Sequence, residues 1–131
     1  MITRFGSLFA GNVDMENIGL EGTAVNDRWL SDEYLTTAFD KCVSFSQLMD
    51  RLDYDTFWVA EHHFQREGYE CLPNLFMLYV HLAHLTKNIK FGCGFNVAPM
   101  WHPLRLAEDF ATADLLTGGR VIFGVGRGYH S

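Results

Sequence analysis

The segment Val121-Ile-Phe-Gly-Val125, followed by Gly126-Arg-Gly128, decides the fold predicted for this chain. It is short and apolar, which predicts a buried strand, and it is the fourth such segment after residues 2–10, 56–60 and 89–97. No helix-forming segment follows it in the sequence. One face and one edge of this strand would then lie uncovered, which complete folded domains avoid.

Three amphipathic segments separate these strands and predict helices. Ser31 can cap the first, Pro73-Asn74 begins the second, and Pro103 begins a third that ends at Gly118-Gly119. Strands that alternate with helices indicate a parallel sheet covered by helices. The first helix is expected to pack through apolar residues at helical spacing, namely Leu35, Ala38, Phe39, Cys42, Phe45, Met49 and Leu52.

Two architectures fit a parallel sheet of this kind. A doubly wound sheet would be complete in about 130 residues, whereas an eight-stranded barrel needs about 250. A flavodoxin-like sheet would have a Gly- and hydroxyl-rich phosphate loop after its first strand, and Ala10-Gly11-Asn12 is not such a loop. We therefore expect an α/β fold, the N-terminal half of a (β/α)8 TIM-type barrel, with residues 1–131 belonging to one domain.

Composition narrows the classes of function. The net charge of −6 and the pI near 5.4 argue against nucleic acid or an anionic membrane as the main partner. No apolar stretch approaches the roughly 20 residues that a membrane helix needs. The cysteines, Cys42, Cys71 and Cys93, form no CxxC pair, which argues against a zinc site or a disulfide framework. Their odd number fits a reducing compartment and predicts a cytoplasmic protein.

Polar residues follow three of the predicted strands, at the ends that converge on the active site in parallel βα folds. Glu61-His62-His63 follows the second strand, Asn96 lies near the end of the third, and Arg127 follows the fourth. A histidine here could act as a general base or acid, or the Glu-His pair could be purely structural. No His-Glu-x-x-His signature is present, so no metal site is predicted.

Glycines surround two of these positions. Gly124-Val-Gly126-Arg-Gly128 lacks the third glycine of a dinucleotide fingerprint, so a Rossmann site is not predicted. An arginine flanked by glycines could grip a phosphate, or it could pair with a nearby carboxylate. The segment Gly92-Cys-Gly94-Phe95-Asn96 could leave room for a planar cofactor ring, or it could form a β-bulge. The long loop at residues 12–30 could be functional or a surface insertion.

Three stretches together resemble the bacterial luciferase-like family of flavin-dependent monooxygenases. They are Phe57-Trp-Val-Ala-Glu61-His62-His63-Phe64, then Val97-Ala-Pro-Met-Trp-His102-Pro-Leu-Arg105-Leu-Ala-Glu-Asp109, and Leu116-Thr-Gly-Gly-Arg120-Val-Ile-Phe-Gly-Val-Gly126-Arg127-Gly128. They occur in the order and at the spacing of the family. Each motif is weak alone, and together they are specific.

The resemblance implies a (β/α) barrel that binds reduced FMN and uses molecular oxygen to oxidise a small organic substrate. His62 matches the catalytic histidine of the family, and Arg127 matches the arginine that contacts the FMN phosphate. Gly94–Phe95 matches a peptide bond that is cis in some members. The remaining positions expected to bind the cofactor are Glu61, Gly94, Phe95, Asn96, Gly126 and Gly128.

The resemblance also implies partners and leaves alternatives open. A flavin reductase would supply the reduced cofactor, and the full-length protein would be a homodimer, whereas these residues alone would be inactive. A deazaflavin-dependent oxidoreductase on the same barrel and a non-catalytic flavin-binding module remain alternatives. The luciferase subunit has a cysteine at the position of Gly126, so light emission is not implied.

Overall fold

The computed structural model describes residues 1–14 and 28–128, and within these ranges strands and helices alternate as predicted. The helices are Asp32–Arg51 (α1), Leu75–Leu85 (α2) and Pro103–Thr117 (α3). The strands are Gly6–Phe9 (β1), Thr56–Val59 (β2), Lys90–Cys93 (β3), Asn96–Val97 (β4), Val121–Ile122 (β5) and Val125–Gly126 (β6). Most of the predicted long loop at residues 12–30 lies outside the described residues.

The helix boundaries follow local capping signals, as predicted. The Ser31 hydroxyl accepts a hydrogen bond from the backbone N–H of Tyr34 at 3.2 Å, before α1. The Asn74 side chain accepts one from Met77 N at 3.0 Å, before α2. Helix α3 begins at a proline and ends at Gly118, whose φ of 67° is left-handed. These three boundaries are confirmed.

The order of the strands identifies the barrel. The sheet runs β1-β2-β3-β5, and every neighbouring pair is parallel. A doubly wound sheet reverses direction at a switch point, which places later strands on the other side of β1. Here β1 stays at the edge and each new strand adds on the same side, which is the order of a TIM-type barrel. The barrel prediction is confirmed.

The third and fourth predicted strands are each divided in two. Gly94 and Phe95 separate β3 from β4, while Phe123 and Gly124 separate β5 from β6, and β4 pairs with β6 as a second parallel sheet. A Cβ built at Gly124 would lie 1.9 Å from the carbonyl oxygen of Cys93. The backbone at Gly124 and the backbone at Cys93 lie too close together for regular hydrogen-bonded pairing between the two strands. The prediction of two continuous strands was therefore wrong.

The core lies between the sheet and the helices. Phe57 and Val59 of β2 and Phe91 of β3 are buried against them. Tyr79 of α2 stacks on Phe91 with ring centroids 5.3 Å apart, and its hydroxyl donates to the carbonyl oxygen of Gly92 at 2.6 Å. A buried tyrosine hydroxyl needs such a partner, and this one fixes α2 against β3.

The buried stripe of α1 is narrower than predicted. Phe39, Phe45 and Leu52 are 38%, 40% and 60% exposed. The buried positions of the helix are Ala38, Cys42, Ser46 and Met49. These positions are separated by three or four residues and form a single line along the helix, so apolar residues beside that line remain partly in solvent.

Trp58 explains one of the glycines in β3. Leu8, Trp58, Gly92 and Ile122 are register partners across the four strands. A Cβ at Gly92 would come within 2.3 Å of the Trp58 ring. The indole therefore lies where a side chain at position 92 would project. Neither a cofactor ring nor a bulge, the two reasons proposed from sequence, is needed to explain Gly92.

Asp50, near the end of α1, holds the connection between α2 and β3. Its Oδ2 accepts a hydrogen bond from Lys87 N, and its Oδ1 accepts bonds from Asn88 N and Ile89 N, all at 2.8 Å. Burial alone would raise the pKa of the Asp50 carboxyl. The three N–H donors, with the charge of Arg120, outweigh burial and hold that pKa below its ordinary value.

We expect Asp50→Ala to lower the free energy of unfolding by about 2 kcal/mol at neutral pH, because three backbone donors lose their acceptor. Because the pKa of Asp50 is lower in the folded chain, its contribution is complete above pH of about 4 and disappears as the pH falls further. Urea unfolding of both proteins across that range measures the effect. Asp40→Ala, an exposed change on the same helix, is the control; a difference between Asp50→Ala and wild type that did not shrink in acid would contradict the prediction.

Candidate active site

Three predicted site segments meet at the carboxyl ends of the strands. Glu61 lies two residues beyond β2, and its Oε2 accepts a hydrogen bond from Val97 N of β4 at 3.1 Å. Asn96 and Val97 pair with Val125 and Gly126 of β6. The structure therefore brings Glu61, Asn96 and Gly126 to one edge, which we call the β4–β6 edge.

The Glu61 carboxylate is fully enclosed, with 0% of its side chain exposed. Its Oε1 accepts a hydrogen bond from Trp101 Nε1 at 2.9 Å and lies 2.8 Å from His63 Nε2. With the bond from Val97 N, these contacts join the end of β2 to β4 and to the turn after it. A buried carboxylate requires such partners, so Glu61 positions the edge. Direct contact between Glu61 and a cofactor stays a prediction.

We expect Glu61→Gln to lower the free energy of unfolding by about 1–3 kcal/mol, since a glutamine offers one acceptor oxygen where the carboxylate offers two. The N–H groups of Val97 and Trp101 bond different oxygens and cannot both keep their partners. Urea unfolding measures the loss. Glu108→Gln on the exposed face of α3 is the matched control and should change stability by less than about 0.5 kcal/mol. Equal losses in the two variants would contradict the positioning role.

Phe95 presents an aromatic ring at this edge. The side chain is 42% exposed, and a Cβ at Gly126 would lie 2.1 Å from the ring. Only glycine leaves room for the ring over β6. The Gly94–Phe95 peptide bond is cis, as the resemblance implied. Gly94, Phe95 and Gly126, all predicted to bind the cofactor, are thus close together.

Asn96 contributes a buried amide with one unused acceptor. Its backbone N–H donates to Gly124 O at 2.9 Å, and its Nδ2 donates to the same oxygen at 3.2 Å. Its Oδ1 is buried and has no hydrogen-bond partner among residues 1–14 and 28–128. A buried acceptor without a donor is costly. A group that satisfied it would need an N–H or O–H donor and access to a side chain that is 0% exposed in this structure.

Arg127 follows β6 directly and is exposed. In the described part of the chain it makes no ion pair with a carboxylate, the alternative raised from sequence. Gly128 has a φ of 76°, and a Cβ there would come within 2.9 Å of Val97. Arg127 therefore follows the β4–β6 edge directly and carries an exposed charge that could bind an anion.

His62 is held by the loop that follows β2. Its Nδ1 lies 2.8 Å from Glu70 Oε2, and the two side chains are only 9% and 11% exposed. Its backbone N–H donates to Leu72 O at 3.0 Å. A carboxylate at Nδ1 fixes both the orientation of an imidazole and the nitrogen that faces its reaction partner.

His62 lines a cleft of about 590 Å³, which we call the His62 cleft. Its lining includes His63 but none of the predicted cofactor residues of the β4–β6 edge. Glu61 links the two regions, because its carboxylate contacts His63 on one side and Val97 on the other. A single pocket that holds one flavin against His62, Gly94 and Arg127 stays a prediction.

Sequence reasoning missed two residues of this site. Glu70 partners His62, and Trp101 partners Glu61. Trp101 lies inside one of the family-like stretches, so its position was visible although its contact was not. Glu70 lies in an irregular loop without periodicity, where nothing in the sequence indicates which carboxylate reaches the imidazole.

Three further features of the described residues concern metal binding, membrane crossing and the reactivity of a thiol. Among these residues, no group of three His, Cys, Asp or Glu side chains is placed to hold a metal ion. No helix of the described ranges is long and apolar enough to cross a membrane. Cys71 lines the His62 cleft, but burial, with the nearby charge of Glu67, raises the pKa of its thiol. A protonated thiol is a poor nucleophile at neutral pH.

Two relatives found by sequence comparison are both named monooxygenases. The chain is 36% identical over 93 residues to the oxygenase component of flavin-dependent trigonelline monooxygenase from Acinetobacter baylyi, covering 71% of this chain and 25% of that protein. It is 40% identical over 81 residues to the alkanal monooxygenase alpha chain of Aliivibrio fischeri, covering 61% and 22%. The chain thus spans about a quarter of the length of these curated relatives.

Solved structures show the same fold. The oxygenating constituent of 3,6-diketocamphane monooxygenase from Pseudomonas putida, solved in complex with FMN, superposes with a TM-score of 0.72 at 24% identity, covering 98% of this chain and 30% of that one. A coenzyme F420 dependent tetrahydromethanopterin reductase from Methanopyrus kandleri gives 0.62 at 21% identity, covering 96% and 27%.

The family itself is defined by sequence. The sequence profile of the luciferase-like monooxygenases matches residues 14–131, which is most of the chain. The match includes all three stretches on which the resemblance was based, together with the strand ends that carry Glu61, Asn96 and Arg127. The chain therefore belongs to the luciferase-like monooxygenase family.

Proposed function

We propose that the full-length protein is a flavin-dependent monooxygenase that uses reduced FMN and molecular oxygen to oxidise a small organic substrate. Residues 1–131 would supply the N-terminal part of its single barrel domain. The observation that carries the proposal is the β4–β6 edge, where the partly exposed ring of Phe95 lies against Gly126 and the exposed Arg127 follows directly in the chain. The Acinetobacter relative, itself named a flavin-dependent monooxygenase, supports it.

The residues of this edge have complementary roles in the proposal. Arg127 binds the FMN phosphate through its fork of N–H donors, while Gly126 leaves room for the Phe95 ring and Gly128 leaves room for Val97. Gly94, Phe95 and Asn96 contact the ring system and its polar edge. Reduced FMN, when bound, supplies the two electrons that convert one oxygen atom to water while the other enters the substrate.

His62 moves the proton in this proposal. Its Nδ1 lies 2.8 Å from Glu70 Oε2, and the imidazole so held exchanges a proton with the reacting group. The Glu70 carboxylate keeps the ring oriented. Placement in a small cleft limits the access of water to the group that gains or loses the proton.

A separate reductase is part of the proposal. The Acinetobacter relative is named an oxygenase component, which implies a second component that delivers the reduced flavin. The described residues of this chain include no dinucleotide-binding fingerprint, in keeping with a reductant made elsewhere. The cytoplasmic location inferred from the cysteines stays a prediction.

The outer faces of α2 and α3 support a homodimer. Four apolar side chains on these helices and at their ends are 60–82% exposed, namely Met77, Leu104, Leu115 and Leu116. Met77 and Leu116 line a shared groove between the two helices. Exposed apolar surface of this kind marks protein interfaces.

We expect Leu116→Glu to convert the full-length dimer to a monomer, because a charge placed in an apolar interface is desolvated without a partner. Sedimentation at micromolar concentration measures the change. Leu48→Glu, at a 44% exposed site on α1, should leave the dimer intact. A Leu116→Glu protein that remained dimeric would place the interface elsewhere.

Two other functions share the same barrel. A deazaflavin-dependent oxidoreductase would transfer hydride without using oxygen. The Methanopyrus reductase shares the fold of this chain, and the likeness shows no more than that. A non-catalytic module would bind flavin and leave its reactivity unchanged. These alternatives differ in which reduced cofactor binds and in how that cofactor then reacts with oxygen.

Stopped-flow mixing separates the three functions. Full-length protein is loaded with reduced FMN or with reduced deazaflavin and is then mixed with oxygenated buffer. A monooxygenase binds reduced FMN and changes the rate of its reoxidation relative to free FMN. Preference for the deazaflavin would support the hydride-transfer alternative, and FMN binding with unchanged reoxidation would support the non-catalytic one.

A further inference from the structure

The His62 cleft carries two guanidinium groups beside an aromatic ring. Arg28, Trp29 and Arg66 line it together with His62. Its volume of about 590 Å³ lies within the range of small-molecule sites, about 300–1,000 Å³. None of these three residues belongs to the β4–β6 edge.

Arg28 is the least satisfied cation of the cleft. Its Nη1 is buried and has no hydrogen-bond partner in residues 1–14 and 28–128. The same ranges contain no carboxylate paired with it. A buried charged donor without a partner is costly, and a ligand carboxylate would accept from it in a charge-assisted hydrogen bond.

Arg66 plays a different part. Its Nη2 donates to Asp32 Oδ1 at 2.9 Å, which matches part of its charge, while its Nε is buried without a hydrogen-bond partner in the same ranges. The guanidinium lies 4.5 Å from the centroid of the Trp29 ring, a cation–π contact that holds the indole in place. Trp29 is 77% exposed and gives the cleft a broad apolar surface close to Arg28.

We infer that the His62 cleft is the substrate site and that its substrates carry a carboxylate, bound by Arg28, with an apolar body that packs on Trp29. The inference rests on the proposed function, because it takes His62 to be the residue that acts on the substrate. It adds the chemical class of the substrate and the residue that selects it.

The charge balance of the cleft favours a carboxylate over a phosphate. Glu67 lines the same cleft and Arg66 is already paired with Asp32, so an incoming anion meets one negative charge beside the unpaired guanidinium of Arg28. A phosphate near neutral pH carries up to two charges, and repulsion by Glu67 grows with each of them. A singly charged carboxylate gains the bond to Arg28 at the smaller electrostatic cost.

A matched pair of probes tests the inference. Benzoate and benzamide have nearly the same size and differ in charge, and both are titrated into the full-length protein while tryptophan fluorescence is followed, with and without FMN. We expect benzoate to bind at least about tenfold more tightly than benzamide at neutral pH. Arg28→Gln should abolish this preference, and Arg28→Lys should keep part of it because a point charge remains. Arg51→Gln, exposed in the last turn of α1, should keep all of it.

The outcomes are distinct. Equal affinity for the two probes, or an unchanged preference in Arg28→Gln, would overturn the inference. Weaker FMN binding in Arg28→Gln with unchanged benzoate binding would also overturn it, by assigning Arg28 to the cofactor phosphate. If wild type failed to bind FMN, the proposed function would fail, while the titration without FMN would still decide whether the cleft selects anions.

Discussion

Replacing His62 with alanine is expected to lower the turnover of the full-length protein by about 10²–10⁴-fold, the usual contribution of a general acid or base. The dissociation constant for FMN should stay within about twofold, because His62 lies in the His62 cleft and not at the β4–β6 edge that is proposed to hold the flavin. Product formation with chemically reduced FMN measures the first quantity, and flavin fluorescence measures the second.

Replacing Glu70, the partner of His62, should lower turnover to an intermediate level. Glu70→Gln retains a hydrogen-bond acceptor near Nδ1 but removes the negative charge 2.8 Å away. Turnover should therefore fall by less than in His62→Ala, by about tenfold, since the acceptor that orients the ring is kept while its charge is lost. A purely structural pair would instead lower stability in Glu70→Gln without changing turnover per folded molecule.

His102→Ala is the matched control for loss of an imidazole. His102 is exposed at the start of α3, and its side chain makes no capping hydrogen bond. Turnover within about twofold of wild type is expected, because surface substitutions of this kind change little. If His62→Ala retained the turnover of His102→Ala, the catalytic assignment of His62 would be wrong.

Features governed by neighbouring residues were predictable from the sequence. The caps at Ser31 and Asn74 and the left-handed end at Gly118 depend on bonds that reach only a few residues along the chain. The alternation of strands and helices depends on periodicity, which is likewise local. The choice of a barrel over a flavodoxin-like sheet also used a local feature, since Ala10-Gly11-Asn12 is not a phosphate loop.

Features governed by distant contacts were not predictable in the same way. The break in the third and fourth strands arises where Gly124 passes against Cys93, which lies on another strand. Gly92 accommodates Trp58, which is far away in sequence. The glycine pattern was visible in both cases, but the side chain or backbone that required it was not.

The same distinction between local and distant contacts applies to the candidate site. The residue types at the strand ends were identified because parallel strands must converge there, and the structure places Glu61, Asn96 and Gly126 together. The partners that orient them come from loops and from residues far along the chain, as the bond between Glu61 and Trp101 shows. Sequence therefore located the candidate residues but did not reveal which contacts hold them.

Arg127→Ala is expected to weaken FMN binding by about 10–100-fold, since hydrogen bonds to a charged group contribute about 1.5–3 kcal/mol each. The side chain is exposed and unpaired with any carboxylate of residues 1–14 and 28–128, so its removal disturbs no described ion pair. Arg127→Lys should fall between wild type and alanine, because an ammonium keeps the charge and loses the bidentate fork.

Salt dependence and a surface control complete this test. Added salt should weaken FMN binding by wild type more than by Arg127→Ala, because screening acts on the charge pair that the variant lacks. Arg105→Ala removes a cation that is 63% exposed on α3 and pairs with Glu108 and Asp109, and should leave FMN affinity unchanged. If Arg127→Ala bound FMN as tightly as Arg105→Ala, the phosphate would have to be held by residues outside the β4–β6 edge.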